Sequence, residues 1–258
     1  NYTGVLKGNI TEVQSVLTGS NDVFTDHPSS VIQAILAGAK IKIVAPGMVD
    51  NKKFVHMGYL VKDNGPYKTA ADLKGKKLKV AVSGTNTCTD IIAMEWFRQH
   101  GISKQNVNFV IMPDEQIEQA VKQGLVDIGC VHPPYTKKAQ NDGGTRQLFT
   151  SYDAVHGPSA GASIRGFSDK FIEQHPEQVA GFTKAIIRAH KWMNTHQDEA
   201  MKIEAQKLNI PVKDMAPFWY DESNYVQNLY IQKWIDMMVD DGLLKKGEIK
   251  TTDLYTND

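Results

Sequence analysis

A stretch of fifteen residues near the start of the chain recurs 105 positions later without a gap. Gln14, Val16, Gly19, Asp22, His27 and Pro28 return as Gln119, Val121, Gly124, Asp127, His132 and Pro133. Val23 and Ile128 stand at equivalent positions with equivalent chemistry. Each copy reads as the same unit: a helix, a glycine stop, a short buried strand, and a His-Pro pair opening another helix. A repeated α/β unit constrains the chain to two similar lobes. A cleft between two lobes is where small molecules usually bind.

The first half alternates helical and strand patterns at short spacing, which predicts a mostly parallel α/β sheet. Strands are expected at Asp22 to Phe24, Lys40 to Ala45, Phe54 to Val61, Leu78 to Val82, Val107 to Met112, Val126 to Gly129 and Leu148 to Ser151. Helices are expected from Pro28 to Gly38, through Ile91 to Phe97, from Asp114 to Gln123 and from Pro133 to Gln140. Beyond Ser168 the texture changes to long amphipathic helices, one opened by Pro176 and one from Ser223 to Val239. The Met, Trp and Tyr residues at helical spacing there read as core packing.

Strand, helix and strand precede the second copy, over residues 77–112, whereas only thirteen residues precede the first. By that symmetry the chain is expected to lack about thirty residues forming the first strand and helix of lobe one. Without them a central strand of that lobe would have no partner, and its edge would be exposed.

Composition excludes several classes. Lys+Arg and Asp+Glu both number 29 in 258 residues, so no basic excess favours nucleic acid. No run of eighteen apolar residues reads as a membrane span. No basic-then-apolar leader opens the chain, so either none existed or the mature form is what is read. Two cysteines make no disulfide framework.

Ligands of α/β sheets sit beyond the carboxyl ends of strands, against helix N-termini. Ser83-Gly84-Thr85-Asn86-Thr87 holds that position. Its glycine allows close backbone approach, and its hydroxyls and amides supply donors for an anion. An ordinary N-cap would use the same residues. His27 and His132 are repeat partners, each before a helix-opening proline. They suit hydrogen bonding to an oxyanion or stacking on a ring, although His is also a tolerated capping residue. Asp26, Ser29 and Tyr135 flank them. Cys88 and Cys130 follow strands expected to be neighbours, so a disulfide, a soft-metal set with the histidines, or plain buried thiols all fit. No Cys-x-x-Cys spacing selects the metal, and no metal or cofactor is assigned. The Gly-rich stretch from Asp153 through His156 to Gly161 reads as a hinge. No hydrolase elbow, dinucleotide fingerprint or HExxH is present.

Val16-Leu17-Thr18-Gly19-Ser20-Asn21-Asp22-Val23 resembles a segment of the substrate-binding proteins of nitrate, sulfonate and taurine ABC importers. Asp72-Leu73-Lys74-Gly75-Lys76-Lys77-Leu78, with its following strand and Gly-Thr turn, is similar to the same family, as is the C-terminal stretch from Trp234 to Leu244. Pro134-Tyr135 matches the family's Pro-Tyr pair, but His132-Pro133 replaces the usual Trp-Glu.

The resemblance implies a two-lobed, type II periplasmic-binding-protein fold. Its lobe boundaries would fall near Lys62 to Pro66 and Ser151 to Ala160. Lobe one would comprise residues 1–63 and 156–258, and lobe two residues 64–155. It implies a non-enzymatic, monomeric protein outside the cytoplasm, in the periplasm or extracellular and lipid-anchored or not, that delivers a small molecule to membrane permease subunits. The implied ligand-binding residues are Asp26, His27, Ser29, Gly84, Thr85, Asn86, Thr87, His132, Tyr135 and His156. No Arg or Lys lies in these loops, so a neutral or aromatic compound fits at least as well as an oxyanion. The alternatives are a pyrimidine-synthase-like enzyme on the same fold, whose Cys cluster is absent here, and the effector-sensing part of a transcription regulator.

Overall fold

The computed structural model describes residues 12–257. The expected loss of a first strand and helix concerns chain ahead of Glu12, which lies outside the described residues.

Helix α1 (Glu12–Leu17) ends at Gly19, whose φ of +74° only glycine adopts without strain. Strand β1 (Phe24–Asp26) follows, then α2 (Pro28–Leu36), opened by proline at its first position. β2 (Ile41–Pro46), the two-residue β3 (Met48–Val49) and β4 (Gly58–Lys62) come next. The expected strand from Phe54 therefore begins four residues late. Side chains claim the intervening backbone first. Asn51 accepts from the amides of Lys53 and Phe54, and Asp50 accepts from the amide of His56, so these amides are withdrawn from any ladder.

α3 (Ala70–Leu73) leads into β5 (Leu78–Val82), α4 (Cys88–Gln99), β6 (Val107–Ile111), α5 (Asp114–Gln123) and β7 (Ile128–Val131). Gly124 ends α5 with φ +74°, the same backbone turn as its repeat partner Gly19. α6 (Tyr135–Asp142) starts at Tyr135, not at Pro133 as the repeat suggested. A residue preceding proline is pushed out of the helical region, and Pro133 precedes Pro134.

β8 (Thr145–Thr150) and α7 (Ser151–Val155) follow. The supposed hinge is thus helical at its start: Thr150 and Asp153 cap α7 reciprocally, which gives Asp153 a structural task. β9 (Ile164–Ser168), α8 (Asp169–Gln174) and α9 (Pro176–Thr195) come next. α10 (Gln197–Leu208) was not foreseen. After β10 (Trp219–Tyr220), α11 (Asn228–Asp240) begins five residues later than its apolar spacing suggested. Asp221 accepts from both the amide and the hydroxyl of Ser223, which closes a turn there instead.

The chain divides into two compact units. The first takes in residues up to Met48, then Ala162–Thr195, and the chain from Tyr220 on. Its sheet has the order β1-β9-β2, with β9 antiparallel to both neighbours. Val44, Ala45, Phe167 and Val179 form a core against Phe171, Phe182 and Ile186. Trp234, Phe24 and Ile32 are fully buried in the same unit.

The second unit is Val49–Gly161 with His196–Trp219. Its sheet has the order β6-β5-β7-β4-β8. β5 runs parallel to β6 and β7, while β4 runs antiparallel to β7 and β8. The mostly parallel sheet expected from the alternation is corrected by both units. α5 packs so closely on β7 that a Cβ at Gly129 would stand 2.3 Å from Ile117. Ile117, Val121, Val126, Val131 and Leu60 close this core, each fully buried branched side chain contributing roughly 1.5–3 kcal/mol.

Candidate ligand-binding site

In the second unit, three chain segments bring polar side chains together beyond β5 and β7. The first is the turn from β5 into α4. Thr87 is the N-cap, and Asp90 accepts from the amides of Asn86 at 2.6 Å and Thr87 at 2.8 Å. Asn86 takes a left-handed conformation, φ +58°, that a short polar side chain tolerates. Gly84 supplies its carbonyl to the hydroxyls of Thr87 and Thr89, both at 3.3 Å. Two of the amides that made this turn an anion candidate are therefore already engaged by the protein's own carboxylate. Asp90 is buried, and burial pushes its carboxyl above the usual range despite those amides. Gly84 and Thr87 are half-buried, while Thr85 and Asn86 are exposed.

The second segment is His132, directly after β7. Its amide and its Nδ1 both reach Asp114 Oδ2, at 3.0 and 2.7 Å. Its Nε2 lies 3.5 Å from the sulfur of Cys88, the first residue of α4. A carboxylate only accepts, so Nδ1 carries a proton toward Asp114. Burial alone would lower the basicity of this ring. The Asp114 carboxylate and the Cys88 sulfur outweigh it and hold His132 at about 10. Tyr135, one turn on, is half-buried and leans on the Leu60–Val131 core. Its phenol is pushed up by burial and by Glu115 and Asp114.

The third segment carries His56, whose ring meets the His132 ring edge-on at 4.8 Å between centroids. Asp50 fixes it from behind, taking the His56 amide at 2.7 Å and the Ser151 hydroxyl. Sequence reasoning missed His56, which it buried inside an expected strand, and saw Asp114 only as a helix opener. The one available signal was that Asp114 opens the helix that leads into β7, which His132 directly follows.

Both cysteines are buried and neither is in a disulfide, which disposes of that alternative. They are not equivalent. Cys130 is fully enclosed, donates to the Met57 sulfur at 3.5 Å, and is pushed well up by burial, so it stays a neutral thiol. Cys88 instead faces the imidazole of His132.

His156 does not join this cluster. It is the left-handed C-cap of α7 and meets Gln99 at 3.2 Å, at the opposite end of α4 from Cys88. That end is roughly 16 Å away along the helix axis.

In the first unit, Asp26, His27 and Ser29 lie at the end of β1 and the start of α2. His27 Nδ1 donates to the Ala162 carbonyl at 2.9 Å, and the ring stacks on Trp234 at 5.5 Å. Asp26 accepts from the His27 amide at 2.7 Å. Ser29 is fully buried. This unit also has two surface grooves, about 460 and 510 Å³ in volume, neither of which is lined by any residue read from the sequence as a ligand contact.

The architecture is the type II fold of periplasmic binding proteins. It matches the crystal structure of the periplasmic aliphatic sulphonate binding protein SsuA from Escherichia coli at a TM-score of 0.75 and 20% identity. That match covers 95% of this chain and 78% of that one. The chain belongs to the NMT1-like family, whose profile matches residues 16–209. A Bacillus subtilis (strain 168) protein named as an aliphatic sulfonates-binding protein is 30% identical over 60% of this chain and 45% of its own length. The nitrate/nitrite binding protein NrtA of Synechococcus elongatus is 25% identical over 72% of this chain and 43% of its own. The chain thus spans about half the length of the curated relatives it matches.

Proposed function

We propose that this chain is the extracytoplasmic substrate-binding component of an ABC importer. In this reading it takes up a small organic molecule or oxyanion, passes it unchanged to permease subunits in the membrane, and works as a monomer. The observation that carries the reading is the family match over residues 16–209 together with relatives named for binding sulfonates and nitrate. Among the described residues no helix is long and apolar enough to cross a membrane.

The two compact units are the lobes. The candidate contacts in the second unit are Gly84, Thr85, Asn86, Thr87, His132 and Tyr135. In the first unit they are Asp26, His27 and Ser29. His156 is the weakest member of the set because it stands apart. Asp90 already fills the Asn86 and Thr87 amides, which favours a neutral or aromatic cargo over a bare oxyanion.

Thermal melting against sulfonates, nitrate, pyrimidines and aromatic acids tests this. A ligand at a hundredfold over its Kd stabilises by about 2.7 kcal/mol, a shift of a few degrees. A selective shift by one class, lost in His132→Ala, is expected. A flat response to every class, with the protein folded, would contradict it.

A further inference from the structure

In the second unit the sulfur of Cys88 has a ring nitrogen of His132 and one of His56 near it. Cys88 Sγ and His132 Nε2 are 3.5 Å apart. A tetrahedral ion with ordinary metal–sulfur and metal–nitrogen bonds sets those two donors roughly 3.5 Å apart as well. A ring nitrogen of His56 lies within 4.8 Å of the same sulfur, and its ring already touches that of His132. The second nitrogen of His132 is hydrogen-bonded to Asp114 at 2.7 Å. That is how a carboxylate orients a ligating imidazole and fixes which nitrogen faces the ion.

We propose that Cys88, His132 and His56 form a binding site for one thiophilic transition-metal ion of the Zn²⁺ or Cu⁺ class. Thiolate with two imidazoles selects such ions over Mg²⁺ or Ca²⁺, which require oxygen donors. Asp114 is a positioning residue, since its Oδ2 is engaged by His132. Asp50 fixes the backbone of His56, so the last ångström of approach falls on that ring's torsion. Three protein donors leave a fourth position for water or for a donor atom of a bound organic molecule. Spacing in sequence concealed the set, because residues 56, 88 and 132 come from three separate loops. The inference goes beyond the import reading and does not rest on it: the site can hold a metal whichever organic class the protein binds.

The test is a titration of the tag-free, chelator-treated full chain with Co²⁺, followed by displacement with Zn²⁺. One equivalent of Co²⁺ is expected to give a near-ultraviolet thiolate charge-transfer band and strong visible bands of a tetrahedral ion. Cys88→Ser should lose the charge-transfer band. His56→Ala and His132→Ala should weaken binding, and Asp114→Asn should weaken it about 10- to 100-fold. Cys130→Ala should keep both bands. Far-ultraviolet circular dichroism checks that each variant is folded, and the conservative Asp114→Asn serves where an alanine variant does not fold. Weak octahedral spectra only, or a charge-transfer band that survives Cys88→Ser, would overturn the proposal. So would the absence of any band in the folded wild-type chain. None of these outcomes depends on the organic-ligand melting panel, so the two readings fail separately.

Discussion

His190 in the first unit and His132 in the second are both enclosed histidines, and their surroundings push them in opposite directions. His190 is fully buried in α9, with Nδ1 on the Asp221 carbonyl at 2.6 Å and Nε2 facing Arg165 at 3.3 Å. Burial, and then the Arg165 guanidinium, hold it down to about 4. A carbonyl accepts and a guanidinium donates, so the neutral ring satisfies both neighbours with one proton. Around it Arg165 donates to the Pro46 carbonyl, and Asn194 ties Tyr220 to Glu222. His132 is half-buried, faces an acid and a thiol, and is held charged at about 10. The first arrangement holds a fold together. The second leaves a charged ring between an acid and a thiol at the proposed ligand site. The sign of the neighbouring charges, as well as the depth of burial, thus separates the two histidines.

Asp114→Ala should show the largest effect on this contrast. It removes both bonds to His132, at a cost of about 3 kcal/mol for charge-assisted partners, and lets the ring fall toward its ordinary value near 6.5. Urea unfolding and a histidine NMR titration measure both effects. Unchanged stability together with an unmoved His132 would break the assignment.

Arg165→Met should cost about 1–3 kcal/mol, since the Pro46 carbonyl loses its buried donor, and should raise His190 toward the ordinary range. Burial also lowers the Arg165 guanidinium itself. The same denaturation and titration experiments apply.

The pH dependence should have two limbs of opposite sign. His190 is depressed in the folded state, so the unfolded chain binds the extra proton first. Stability should fall as pH drops from about 6.5 toward 4, by about 1 kcal/mol per pH unit, and His190→Asn should flatten that limb. His132 is raised, so its contribution is fully present below about 6.5 and is lost as pH rises through about 10. Denaturation midpoints across that range, in wild type and Asp114→Asn, check the alkaline limb.

The smallest expected effect is that of Cys88→Ser, within about 1 kcal/mol, because the hydroxyl keeps a polar partner for His132. A much larger loss would make Cys88 a structural residue, like Cys130.

The repeat was the most legible feature of the chain, since local rules carry it. Glycine stops, proline openings and short apolar strands are set by backbone sterics, so Gly19 and Gly124 landed at the same φ. β5 and α5 were readable for the same reason. Strand direction was not, because alternation of helix and strand does not say that β4 and β9 run antiparallel to their neighbours. Where side chains captured the backbone, as Asn51 and Asp221 did, apolar spacing overran the true start of an element. In the candidate site, His132 and Cys88 were visible individually. Their meeting, and the parts played by His56 and Asp114, come from contacts between segments far apart in sequence, which no periodicity encodes.

The most direct measurement is a nitrogen-15 histidine NMR titration of the metal-free chain. At about pH 8 the His132 ring should still be an imidazolium with both nitrogens protonated, and at about pH 5.5 His190 should still be neutral with its proton on Nδ1. Both rings titrating together near 6.5 would contradict the assignment of one histidine to the fold and the other to the site.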